Sequence, residues 1–195
     1  MKKLFIFNGN VLFDFAETVK ELYEAYKETS LRPEELVVVI RNFVRDPQYD
    51  MDFVDFCKNS TAFGNFPAAR GMAKVVERLE NQGYDMAVIA EITDKPDTVS
   101  KYAQNLWRHY GNRLSKIMPF NQESLEMVLQ KAADGYDKVL ICDAKPVNLA
   151  TAKETVTMPI WLENPYYNVF WYEIDRNGIK KAENLRELYW QILHA

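Results

Sequence analysis

The run Lys2-Lys3-Leu4-Phe5-Ile6-Phe7 passes directly into Asn8-Gly9-Asn10-Val11-Leu12-Phe13-Asp14-Phe15, and this passage decides how the chain is read. Residues 4–7 are apolar without a break, the pattern of a strand buried on both faces rather than one alternating at a wet surface. Strands of that kind build parallel sheets, and in such sheets ligands gather beyond the carboxyl ends of the strands. The polar triplet Asn8-Gly9-Asn10 therefore stands where chemistry is expected.

Downstream of it, residues 16–29 carry Val19, Leu22, Tyr23 and Tyr26 at helical spacing. Pro33-Glu34-Glu35 opens a second helix with Leu36, Val37, Val39, Ile40, Phe43 and Val44, ended by Pro47. Residues 52–58 hold a third short helical piece. Residues 16–65 thus read as a helical cap inserted into a core made of residues 1–15 and 66–195.

From Phe66 onward helices alternate with apolar strands. A helix from Pro67 bears Met72, Val75, Val76 and Leu79 and stops at Gly83. Strand 85–90 follows, then a helix capped by Asp97 and stopped by Gly111. Strand 114–119, a helix over 122–133 capped by Asn121, and strand 137–142 come next. A short helix over 148–155, strand 157–162 and a closing helix over 182–193 complete the pattern. The expected class is α/β: a Rossmannoid parallel sheet flanked by helices, with right-handed crossovers and a small helical cap insert.

With 195 residues, 48% of them hydrophobic and 27% charged, the chain suits one packed domain. A net charge of −4 and the lack of a dense Lys/Arg run argue against a nucleic-acid polymer as partner. The apolar runs are far too short to span a bilayer, so no membrane partner is expected. The apolar run behind the two N-terminal lysines breaks at Asn8, which does not fit a signal peptide. Cys57 and Cys142 sit in apolar contexts and read as free thiols in a reducing cytoplasm. Two histidines leave little scope for a histidine-based metal site or Cys/His catalysis.

Four strand-end places then matter: residues 8–10, residues 90–93, the stretch before Lys101, and residues 143–148. Taken with FPAARGMAKVVERLENQGYDMAVIA (66–90), DKVLICDAKPVNL (137–149) and NPYYN (164–168), their order resembles the haloacid-dehalogenase-like (HAD) phosphohydrolases. Within that superfamily the chain resembles the 5′(3′)-deoxyribonucleotidases over nearly its whole length, though weakly in the helical insert. The family opens on a buried strand ending in Asp-x-Asp-Gly-Val-Leu-x-Asp-Phe. The resemblance implies that the first aspartate is the phosphoryl-accepting nucleophile and the second the general acid/base. It also implies a Ser/Thr after the second strand and a lysine as phosphate ligands, and an acidic fourth motif that holds Mg²⁺.

Carried over residue by residue, the resemblance counts losses. With one gap, Asn8 and Asn10 take the aspartate positions; without a gap, Phe7 and Gly9 do. The Ser/Thr position is Ala90, although Thr93 lies three residues on. Gly9, Thr93 and Lys101 remain as a phosphate-binding remnant, and Asp143, now beside Ala144, as a metal-binding remnant. A neutral amide is no nucleophile for phosphoryl transfer and cannot shuttle a proton. Mg²⁺ is usually held by one or two carboxylates plus substrate phosphate, and one aspartate leaves such a site short of charge. Plainer readings stand beside these. Asn8-Gly9 can be a turn after a strand, Lys101 a solvated helix residue and Asp143 a helix cap. The cluster Trp161, Tyr166, Tyr167, Phe170, Trp171 and Tyr172 can be core and lid packing or a protein interface.

The functional expectation is a catalytically inactive, nucleotidase-like HAD protein that binds a protein partner or a nucleotide monophosphate, needs no cofactor and can form a homodimer. The alternative is a Mg²⁺-dependent 5′(3′)-nucleotidase seen as an Asp-to-Asn variant. A third reading is a metal-independent nucleotide sensor, in which Lys101 and the amides near Gly9 hold the phosphate.

Overall fold

The strand β1 (Lys3–Asn8) lies at the centre of the sheet because both of its faces are apolar: Phe5 and Phe7 enter one core cluster, Leu4 and Ile6 the other. The structure is a computed structural model that describes residues 1–45, 51–59, 64–114, 116–121, 124–164 and 171–195. Parallel strands flank β1 on each side: β2 (Tyr84–Ala90) with β3 (Lys116–Pro119) beyond it, and β4 (Lys138–Asp143) with β5 (Met158–Leu162) and β6 (Lys180–Ala182) beyond it. The six-stranded order β3-β2-β1-β4-β5-β6 is the parallel α/β sheet that the buried apolar strands predict.

Helices cover both faces. One face packs under α5 (Met72–Asn81), α6 (Pro96–Tyr110) and α10 (Leu185–Leu193), through Val76, Leu106 and Leu188 among others. The other packs under α7 (Leu125–Ala133), α8 (Pro146–Ala152) and α9 (Trp171–Asn177), through Leu129, Leu149 and Ile174. Between β1 and the insert, a single helical turn, α1 (Gly9–Leu12), takes the place of an open loop.

The insert holds α2 (Phe15–Lys27), α3 (Pro33–Arg45) and α4 (Met51–Asn59). Their rings pack on one another, Tyr23 edge-on to Phe53 at 5.1 Å and Tyr26 against Phe56 at 5.4 Å. Val19, Leu22, Ile40 and Phe53 belong to the same hydrophobic cluster as the sheet residues Phe5 and Phe7, so this core is continuous from the sheet into the insert. Where the chain leaves the core and where it returns, the two stems are tied together. Phe13 forms an antiparallel bridge with Ala68, the Ala69 N–H donates to the Leu12 carbonyl at 2.8 Å, and the Asp14 N–H donates to Pro67 at 3.0 Å.

Several boundaries differ from the sequence expectation for identifiable reasons. Helix α5 starts at Met72 rather than at Pro67, because residues 67–69 pair with the outgoing stem and Gly71 turns in the left-handed region at φ +85°. Helix α6 starts at Pro96, whose missing N–H suits a first turn, and Asp97 lies inside that turn instead of capping it. Helix α7 starts at Leu125 after Ser124, with Asn121 and Ser124 bonded to each other ahead of it. Leu114 closes a 3₁₀ turn (Gly111–Leu114), so β3 begins at Lys116. Helix α8 spans Pro146–Ala152 rather than 148–155. Ala182 ends β6, and Asn184 caps α10 by accepting from the N–H groups of Arg186 and Glu187, which moves the last helix to Leu185. The helix stop assigned to Pro47, and residues 165–168 of the NPYYN segment, lie outside the described residues, as does Phe170. Among the described residues no helix is long and apolar enough to cross a membrane.

The stem junction gives the first test. Phe66 is fully buried with its ring 6.2 Å from that of Phe13, whereas Trp107 on α6 is 68% exposed. Phe66→Ala is expected to destabilise the fold by about 3–5 kcal/mol and Trp107→Ala by about 0.5 kcal/mol or less, read from urea midpoints at equal slope.

Candidate functional site

Pairing between β1 and β4 sets Phe7 opposite Cys142, so the next residues along, Asn8 and Asp143, emerge side by side at the carboxyl ends of the strands. Asp143 is completely buried and Asn8 nearly so. Among the described residues the carboxylate accepts four hydrogen bonds. The Asn8 Nδ2 group donates to Oδ2 at 2.6 Å and Asn148 Nδ2 donates to the same oxygen at 2.9 Å. The Asn10 Nδ2 group donates to Oδ1 at 2.8 Å and the Lys145 backbone N–H donates to it at 2.7 Å.

Each donor is placed by local structure. Asn8 is the N-cap of α1, its Oδ1 accepting the Asn10 N–H at 3.2 Å, and this leaves its amide nitrogen free to face Asp143. Asn10 sits in the first turn, where its Oδ1 accepts the Ala144 N–H at 3.3 Å while its nitrogen meets the carboxylate. Asn148 occupies the first turn of α8, two residues after Pro146. The Ala144 carbonyl accepts the indole N–H of the buried Trp161 at 3.0 Å, which fixes the loop from behind.

Burial pushes the Asp143 carboxyl above the ordinary carboxylate range. The Lys145 N–H, the amides of Asn10 and Asn148, and the Lys145 charge pull it back. Among the described residues the groups bonded to the carboxylate are all N–H donors, so the arrangement matches its ionised, acceptor-only form. Beside it, burial and the Asp143 charge raise the Cys142 thiol well above its usual value, which keeps it protonated.

The start of α1 is covered as well. A Cβ placed on Gly9 would lie 1.9 Å from the Tyr102 hydroxyl, so the ring of Tyr102 rests on the backbone where residue 9 has no side chain. Burial holds that hydroxyl far above its normal range, and it stays neutral. Across the top, Lys145 Nζ pairs with Glu91 Oε2 at 2.5 Å. Glu91 follows the end of β2 and Lys145 follows the end of β4, so this pair bridges the two strands on either side of β1.

The candidate residues fall into two groups. Asn8, Gly9, Asn10 and Asp143 come together in one cluster. Ala90 is buried at the end of β2, with its carbonyl accepting from Ile92 and Phe120. Thr93 is turned toward Thr98, Oγ1 to Oγ1 at 3.5 Å. Lys101 is exposed in the second turn of α6, its Cβ 3.6 Å from where a Cβ on Gly64 would stand, and it is not among the donors to Asp143. The cation in the cluster is Lys145, which the sequence reading left unassigned along with Glu91, Asn148 and Tyr102. For Asn148 there was a usable signal: it lies five residues after Asp143, just past a proline suited to a helix start. A cleft of about 550 Å³ lies elsewhere, between α2 and α3, lined by residues that include Tyr23, Lys27, Glu35 and Val38.

The fit of a metal follows from these donors. Among the described residues no group of three or more His, Cys, Asp or Glu side chains could hold a metal ion. Both oxygens of Asp143 are engaged by nitrogens that carry protons and cannot ligate, and the nearby Glu91 carboxylate is paired with Lys145. The residues present do not fit Mg²⁺.

No family model matches the chain, and no curated protein matches it. Solved structures do. A predicted phosphatase from Clostridium acetobutylicum superposes with a TM-score of 0.65 at 14% identity, over 100% of both chains. A HAD-superfamily hydrolase from Ehrlichia chaffeensis gives 0.58 at 13%, covering 100% of this chain and 98% of that one. A phospho-aspartyl intermediate analogue of phosphoserine phosphatase gives 0.59 at 16%, over 92% and 99%. At such identities the likeness is one of fold: this chain has the fold of HAD-superfamily hydrolases and phosphatases.

Two measurements check the cluster. Asp143→Ala strips the acceptor from four buried donors and is expected to cost about 3 kcal/mol or more. Gly9→Ala drives a methyl into the Tyr102 hydroxyl and is expected to destabilise clearly. Tyr102→Phe should recover part of that loss in a double-mutant cycle, and purely additive costs would refute the contact.

Proposed function

We propose that this chain is a catalytically inactive, nucleotidase-like member of the HAD fold that acts by binding a protein partner rather than by hydrolysing a phosphate ester. The observation that carries the reading is the cage around Asp143. Asn8 and Asn10, the residues aligned with the nucleophile and the acid/base when one gap is allowed, both donate to it. That contact supports the one-gap alignment over the one that would use Phe7, which is buried in the core. An amide at the first position cannot form a phospho-enzyme, and one at the second cannot relay a proton. The Asn10 N–H, a backbone donor that could meet a phosphate, is taken by Asn8 Oδ1.

The covering of Gly9 and the charge pair over the strand ends support a protein partner over a bound nucleotide. The Tyr102 hydroxyl covers Gly9 and the Glu91–Lys145 pair spans the strand ends. Lys101 stands apart from the Asp143 donors, which weakens the sensor reading that relied on it.

Assay of the protein with Mg²⁺ on deoxynucleoside monophosphates and an aryl phosphate is expected to give no turnover above background. Loss of a nucleophile alone removes roughly 10⁴–10⁶ in rate. Turnover that vanishes in Asp143→Ala would contradict the proposal. The double variant Asn8→Asp/Asn10→Asp places three carboxylates together. Without a divalent cation it is expected to lose about 3–5 kcal/mol, or roughly 10 °C in melting temperature, and to regain much of that with Mg²⁺. Robust hydrolysis by the double variant would instead favour a Mg²⁺-dependent nucleotidase carrying Asp-to-Asn replacements.

A further inference from the structure

We propose that the outer face of α6, built from Lys101, Gln104, Trp107 and Arg108, is the docking surface of this protein, and that its occupant is an acidic amphipathic helix of a partner protein. The inference rests on the protein-binding role proposed above and supplies the surface and the partner chemistry for it.

The face follows from helix geometry. Side chains three and four residues apart are neighbours on a helix, so Gln104 lies between Lys101 on one side and Trp107 and Arg108 on the other. All four are exposed, whereas Thr98, Tyr102, Asn105, Leu106 and Tyr110 are buried on the opposite side. From that side Asn105 donates to the Phe66 carbonyl at 3.0 Å and Tyr110 donates to the Leu12 carbonyl, so both insert stems are bonded to α6. The surface is held in place before anything binds to it.

Its chemistry combines an open indole with unpaired cations. Trp107 is 68% exposed and no ring stacks on it among the described residues, whereas Trp190, the other exposed tryptophan, stacks on His194 at 4.3 Å. Tryptophan and arginine are the side chains in which protein-binding energy concentrates. The chain carries a net charge of −4, yet residues 94–116 hold five Lys or Arg against two Asp. Both aspartates lie in or before the first turn of α6, so the rest of the stretch is purely cationic. Among the described residues neither Lys101 nor Arg108 forms an ion pair. Arg108 Nη1 donates to the Gly64 carbonyl at 3.0 Å, which orients the guanidinium at the surface. Charges seven residues apart on a helix are about 10 Å apart along its axis, and carboxylates two turns apart on a helix laid alongside match that spacing. An apolar stripe on the same helix then covers the indole.

The test is fluorescence anisotropy of a stapled helical peptide, with leucines along one stripe and glutamates beside it, titrated with the intact protein. Wild type is expected to bind the peptide and to release it as sodium chloride approaches about 1 M, where the Debye length falls to about 3 Å. Trp107→Ala is expected to weaken binding about thirtyfold and Lys101→Glu about tenfold, while Trp190→Ala leaves it unchanged. Absence of binding to wild type would overturn the proposal, as would an equal loss in Trp190→Ala or equal affinity for a peptide with lysines in place of the glutamates. Tighter, Trp107-dependent binding of an oligothymidylate would overturn it in favour of a nucleic acid. A dimer in sedimentation that Trp107→Ala dissociates would overturn it in favour of a second copy of this chain. The turnover assay on wild type stands apart from these readouts. Hydrolysis together with peptide binding would contradict the inactive reading and leave the surface intact, and loss of peptide binding without hydrolysis would do the reverse.

Discussion

The structure is organised around one buried charge that has to be satisfied without water. An isolated carboxylate inside a protein costs several kcal/mol, and Asp143 meets that cost with four N–H donors. The register of β1 against β4 brings Asn8 beside it, the α1 turn brings Asn10 round, and the start of α8 adds Asn148 and the Lys145 N–H. Removing any of these elements leaves the charge under-served, so the strand ends, the first turn and the first residues of α8 form one cooperative unit.

Charge arithmetic explains why such a unit can replace an enzymatic one. In the family that the sequence resembles, aspartates gather round a divalent cation, and three carboxylates with one such cation leave a single negative charge. Two amides and one carboxylate leave the same charge with no cation present. On this account the amide nitrogens of Asn8 and Asn10 do electrostatically for Asp143 what a metal would do. A shared fold with hydrolases and phosphatases does not decide activity; the site does.

The parallel sheet was legible because residues 4–7, 86–90 and 139–142 are apolar without alternation, which only a doubly covered strand requires. The meeting of Asn8, Asn10 and Asp143 was legible because they stand at the ends of such strands. The outward placement of Lys101 was not. Successive helical residues point about 100° apart, so with α6 starting at Pro96 the buried position is Tyr102 and its neighbour Lys101 faces out. Glu91 and Lys145 are separated by 54 positions, and only the strand order brings them together. Strand β6 is three residues long and has no period to detect.

The most direct test of the amide cage is the side-chain carboxamide region of a ¹H–¹⁵N spectrum followed through a Mg²⁺ titration. The account predicts that the Nδ2 protons of Asn8, Asn10 and Asn148 resonate as hydrogen-bonded groups, with Asn8 and Asn148 slow to exchange with water, and that none of them moves as Mg²⁺ reaches millimolar concentration. Saturable Mg²⁺-dependent shifts at Asn8 and Asn10, with loss of their protection, would contradict it.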